Sequence, residues 1–214
     1  MCFGIGSIHF LVGALAATWP ILFPVVLRDA TIVDRVFFVG SIFFTTAAWL
    51  QWLEVLNGDV ATALVSMEPK WRWFGWMPHN LGYLACVVQI AGTILFNFNT
   101  WDAMLPDLSW REQDLLIWIP DMLGSICFLV ASYLAYAEVS HGAASFAPHS
   151  VSWWIAVVNL AGSVAFQISA LTALVGPSPM SQGLIFWSTL FTAIGALCFL
   201  IGAYLMIPEL FDSN

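Results

Sequence analysis

Charge is what this chain has least of. Charged residues are 8% of its 214 positions, and only five of them are lysine or arginine. A soluble domain carries about 25%. A chain this poor in charge cannot cover a surface that faces water, which excludes an ordinary soluble globule. Between Gly142 and Pro208 there is no Asp, Glu, Lys or Arg at all. Basic runs are missing as well, and the formal net charge is −8. That excludes nucleic acid as a partner and a polybasic grip on anionic lipid. No positive segment precedes the first apolar stretch, so residues 3–26 are expected to be a retained helix and not a cleaved leader. The four cysteines (Cys2, Cys86, Cys127, Cys198) form no C-x-x-C pair, and three of them lie inside apolar stretches. They read as small buried residues and not as a disulfide frame. The chain also lacks a nucleophile elbow, a phosphate loop, a metalloprotease histidine pair and a carboxylate dyad. No enzymatic activity, catalytic residue or cofactor is therefore expected.

What is present is apolar. Hydrophobic residues make up 61% of the chain, with a mean hydropathy of +0.89. A lipid core of about 30 Å takes about 20 helical residues to cross. Six stretches are that long: 3–26, 36–54, 78–98, 118–138, 152–175 and 184–207. Barrel strands would instead alternate over about 10 residues, and no such segment occurs. The expected fold is all-α: a polytopic membrane protein with six transmembrane helices, paired as three hairpins in one bundle spanning 1–214. A bacterial-type inner or plasma membrane is the expected location.

One short pattern, Gly-(Ser/Thr/Ala)-x-x-Phe, occurs once in each stretch. Its glycines are Gly6, Gly40, Gly92, Gly124, Gly162 and Gly195, and its phenylalanines Phe10, Phe44, Phe96, Phe128, Phe166 and Phe199. Seven residues past each glycine comes a further small or short residue: Gly13, Ala47, Asn99, Ala131, Ser169, Gly202. At about 100° per residue, offsets of four and seven fall near one helix face. Each stretch thus has a small-residue groove beside a ring, the way helices approach closely where lipid removes any hydrophobic drive. The six glycines are expected to be helix-packing positions. They are 34, 52, 32, 38 and 33 residues apart, and the short intervals mark three hairpins related by duplication. Trp76-x-Pro78-x-x-Leu81-Gly82 echoes Trp118-x-Pro120-x-x-Leu123-Gly124, which offers helix 3 a second register.

The twelve tryptophans sit near helix ends or in flanking segments, as an interfacial belt does. Lys70 to Trp76 is expected in the headgroup layer. Six crossings put both termini on the side of Lys70 and Arg72, with Arg28, Arg35 and Arg111 opposite. That balance does not decide orientation.

Several residues are candidates for chemistry. All four histidines (His9, His79, His141, His149) fall on the terminus side, with Glu54 and Glu138. Imidazoles and carboxylates at one depth suit a metal or haem-like group, so His9 and His79 are candidate cofactor ligands. Those two with Glu54 and Glu138 are candidate metal ligands. No pair has diagnostic spacing, and solvation at the interface explains the same residues. Apart from Glu54 and Glu138 at the very ends of their spans, Asp121 is the one acid inside an expected span. Intramembrane carboxylates suggest proton or ion handling, but a place just after Pro120 also suits helix capping. Asn97 and Asn99 fall at its depth, and together the three form a possible transport site. Asn80, Gln89, Asn159 and Gln167 are expected to bond neighbouring helices.

The phrases Trp118-Ile-Pro-Asp-Met-Leu-Gly-Ser-Ile-Cys-Phe-Leu-Val-Ala-Ser132, Trp153-Trp-Ile-Ala-Val-Val-Asn-Leu-Ala-Gly-Ser163 and Gly195-Ala-Leu-Cys-Phe-Leu-Ile-Gly202 resemble uncharacterised bacterial integral membrane proteins with YrhK-like repeats. The resemblance implies a helical membrane fold and brings no activity. The expected function is that of a non-enzymatic accessory or structural subunit, its partners being the bilayer and other membrane subunits or copies of itself. The alternatives are a small proton or solute transporter and a haem, pigment or metal carrier.

Overall fold

The computed structural model describes residues 1–62, 71–140, 146–178 and 180–212, so Lys70 and His141 lie outside the described residues. Among those described there is helix and no strand. Six long helices run in order through the described residues: α1 (Cys2–Thr18), α2 (Ala30–Thr62), α3 (Leu81–Asp102), α4 (Trp110–Val139), α5 (Val151–Thr172) and α6 (Gln182–Asp212). The last five are long and apolar enough to cross a membrane. By length and composition this is a multi-pass membrane protein.

The first helix is shorter than expected. Its 17 residues stop at Thr18 and not near residue 26. The cause is local: Trp19 leaves the helix at φ −130°, and Pro20 and Pro24 follow, each lacking the N–H that the next helical bond needs. Two 3-10 turns (Pro20–Leu22 and Val25–Arg28) carry the chain onward. Elsewhere α2, α4 and α6 overrun their expected ends, while α3 starts three residues later than expected and α5 stops three residues earlier. The Asp29 carboxylate accepts the Thr31 N–H at 2.9 Å and starts α2 early. At the head of α4, Ser109 and Glu112 form a reciprocal capping box. Asn80 caps α3 by accepting the Tyr83 N–H at 2.8 Å.

Consecutive helices pair: α1 with α2, α3 with α4, and α5 with α6; contacts of α2 with α3, α4 with α5 and α6 with α1 close the ring. The recurrent pattern distributes four positions in four directions. Each glycine faces its partner within a pair, where a methyl on Gly6 would stand 3.0 Å from the Gly40 carbonyl oxygen, and one on Gly162 3.1 Å from that of Gly195. The residue after it (Ser7, Ser41, Thr93, Ser125, Ser163 or Ala196) has no exposed surface. Two of these hydroxyls reach the adjoining pair: Ser41 meets Thr100 at 3.0 Å, and Ser163 meets Ser132 at 2.7 Å. One position further, Ile8, Ile42, Ile94, Ile126, Val164 and Leu197 all point outward. The phenylalanines turn to the middle and form one buried cluster.

Candidate functional site

The six rings stack as two layers across the axis. Phe10, Phe96 and Phe166 form one triangle, with centroids 6.4, 6.0 and 6.1 Å apart. Phe44, Phe128 and Phe199 form the other, at 6.3, 6.2 and 5.8 Å. Within each helix pair, one ring touches the other layer at 5.2, 5.1 or 5.4 Å. The layering follows from antiparallel pairing. Four residues past the crossing glycine runs away from the termini on α1, α3 and α5, and toward them on α2, α4 and α6. Together the rings fill the axis of the bundle.

A cavity lies on each side of this plug. The one toward the termini, about 270 Å³, is lined from all six helices and includes Glu54, Glu138, Gln89 and Asn159, with Phe199 at its floor. The one on the far side, about 190 Å³, is bounded by Phe10 and Phe96 and lined by Asp34, Asp121, Asn99, Thr100, Ser169 and Ser188. Among the described residues, every charged one lining either cavity is acidic. Their field therefore favours cations.

Asp121 does not simply sit in a first turn. Pro120 opens an α-helical run, but the chain before it is already helical, through a π turn at Asp114–Trp118. The Ile119 N–H reaches back to the Asp114 carbonyl oxygen, and the wider π turn tolerates a proline that cannot donate. The Asp121 carboxylate and the Asn99 side chain from α3 stand side by side in the far cavity. Asn97 is not part of this contact; its amide donates to Thr45 Oγ1 at 2.8 Å across the α2–α3 seam. Asp34 shares the cavity with Asp121. Sequence reasoning missed it by starting helix 2 at residue 36. Its signal was the spacing: six residues before Gly40 is within reach of the same helix.

The terminus-side candidates divide. Glu138 lies over Gly82, where a methyl would stand 2.7 Å from one carboxylate oxygen and 2.8 Å from the other. Gly82 thus leaves room for the carboxylate between α3 and α4, which gives the second register of the Trp-x-Pro echo a physical use. The same relation recurs in α5 and α6, where the Asn159 amide occupies the space beside Gly202. His9 bonds its own helix through Nδ1 and the Ile5 carbonyl oxygen at 2.8 Å, and stacks on Phe43 with centroids 5.8 Å apart. His79 and His149 are exposed in the turns before α3 and α5. Among the described residues no three histidine, cysteine, aspartate or glutamate side chains gather as metal ligands. Gln167 donates to the Met122 sulfur at 3.0 Å and accepts from Ser125 at 3.4 Å, an interhelical role.

No family model matches the chain, and no curated protein or solved structure matches it either.

Proposed function

We propose that this chain is a six-crossing integral membrane protein of bacterial-type inner or plasma membranes, built from three duplicated hairpins of the YrhK-like kind. Its proposed role is to pass a small cation, the proton first among them, along the bundle axis. One observation carries the reading: two acid-lined cavities face each other across a plug built around the six motif phenylalanines. Acidic lining concentrates cations and repels anions, while a stack of apolar rings excludes water and closes a pore by dewetting. Asp121, with Asn99 in the same cavity, is the cation-binding group beside the plug. No catalytic step is required.

Reconstitution in liposomes with a pH-sensitive dye and an imposed diffusion potential tests it. Phe128→Ala should open the plug and raise proton or monovalent-cation flux about tenfold. Asp121→Asn in the same background should take most of that gain away. Circular dichroism on both proteins checks that the bundle stays folded. Flux at the protein-free level in folded Phe128→Ala, or flux indifferent to Asp121→Asn, would defeat the proposal.

The completeness of the plug favours a second reading, a non-enzymatic accessory or structural subunit. Phe44 and Phe128 are 1% exposed, and the buried hydroxyls around them are bonded to their own helices. That reading predicts electrically silent liposomes and a membrane partner that co-purifies in mild detergent.

A further inference from the structure

The connection between α1 and α2 turns four aliphatic side chains outward: Ile21, Leu22, Val25 and Val26 are 82, 76, 77 and 60% exposed. A contiguous apolar patch of this kind is a poor surface for a loop in water. The segment does not stand away from the bundle. Both of its 3-10 turns rest on α1, and the second also rests on α2. Part of its backbone is satisfied within the segment. Leu22, Phe23 and Leu27 donate to the carbonyl oxygens of Trp19, Pro20 and Pro24 at 3.0, 3.3 and 2.9 Å. Pro20 and Pro24 have no N–H to satisfy. The Arg28 guanidinium folds back and donates to the carbonyl oxygens of Phe23 and Ile21, at 3.2 and 3.3 Å. Each of these bonds removes a polar backbone group that a water-poor environment would penalise, and the boundary with the headgroups hydrates the rest.

The length of α1 supplies an independent reason. At 1.5 Å per residue its 17 residues rise about 25 Å, short of a hydrocarbon core of about 30 Å. Trp19, 40% exposed, marks the junction with the kind of ring that prefers the membrane interface. We propose that Pro20–Arg28 lies within the lipid leaflet, at the boundary of acyl chains and headgroups, and completes the crossing that α1 begins. Its partner is phospholipid. This goes beyond the proposed cation pathway: it needs the bundle to be embedded in a membrane, and it does not need conduction.

The test is photocrosslinking of the full chain in membranes, with benzoylphenylalanine placed singly at Leu22 and at Val25. Ile194, on the outer face of α6, is the lipid-facing control, and Asp107, in the exposed turn between α3 and α4, the aqueous one. Lipid-sized adducts at both test positions, at the Ile194 level and about tenfold above Asp107, are expected for an embedded segment. A protein-sized adduct would identify a partner subunit on this face and overturn the proposal. Yields at the Asp107 level, with Ile194 crosslinked to lipid, would place the segment in water and overturn it too. Absence of lipid adducts at Ile194 would instead reject the membrane-embedded bundle itself, and this inference with it.

Discussion

Replacing the motif glycines by alanine, one at a time, should destabilise the protein in an order set by what the new methyl meets. At Gly195 it would lie 2.7 and 2.9 Å from two carbons of the Phe166 ring and 3.0 Å from the Gly162 carbonyl oxygen. At Gly40 it would lie 2.8 Å from the Phe10 ring and 2.9 Å from the His9 Cβ, which is fixed to the backbone. Neither ring can swing aside, because each is held by other rings of the plug. At Gly124 the nearest atom is the Gly92 carbonyl oxygen at 3.2 Å, with side-chain carbons only at 3.5 and 3.6 Å. At Gly58, on the exposed side of α2, nothing lies within 4 Å. Two terms compete. Overpacking costs about 1–3 kcal/mol, and alanine is favoured over glycine in a helix by about 1 kcal/mol. Gly195→Ala and Gly40→Ala, with the closest approaches, should therefore lose up to about 2 kcal/mol net. Gly124→Ala should be near neutral, and Gly58→Ala should gain about 0.5–1 kcal/mol. Steric trapping or thermal melting in mild detergent reads the order. A flat series, with Gly195→Ala behaving like Gly58→Ala, would refute the claim that these glycines are where helices touch.

The remaining predictions concern other parts of the same architecture. A double-mutant cycle of Ser132→Ala and Ser163→Ala should give a coupling near 0.6 kcal/mol and no more than about 1.7, because one hydroxyl pair at 2.7 Å joins α4 to α5; zero coupling by thermal melting would mean the contact contributes nothing. Asn57→Ala should raise tryptic cleavage after Arg72 about tenfold by releasing a local tie, since the buried Asn57 amide both donates to the Arg72 carbonyl oxygen at 2.9 Å and accepts its N–H at 2.8 Å. An unchanged cleavage rate would mean that something else holds that segment. For the axis, Phe128→Ala should open flux and Asp121→Asn should close it again, as set out above.

Much of the candidate site was half-visible in the residue order. Glu54, Asp121 and Glu138 stood out singly, but Asp121 shares its cavity with Asn99 only because α3 and α4 pack closely at Gly92 and Gly124, where a methyl on one would lie 3.1 or 3.2 Å from the other's carbonyl oxygen. Asn97, two residues away, points across another seam, because two residues turn a helix by about 200°. Sequence proximity could not separate them. The outward Ile, Val or Leu two residues after each glycine was in plain sight, yet it means something only once the glycine and serine directions are known.

Composition and periodicity alone decided that the chain is helical, apolar enough for lipid, and studded at regular intervals with a small residue beside a ring. Those are local properties: each depends on side chains within one or two helical turns, where geometry is the same in any fold. The tertiary structure decided that six rings from distant parts of the chain meet in two triangles, and that acids from different helices share a cavity. Such convergence depends on which helices are neighbours and on the level at which they cross. A single helix carries no information about either.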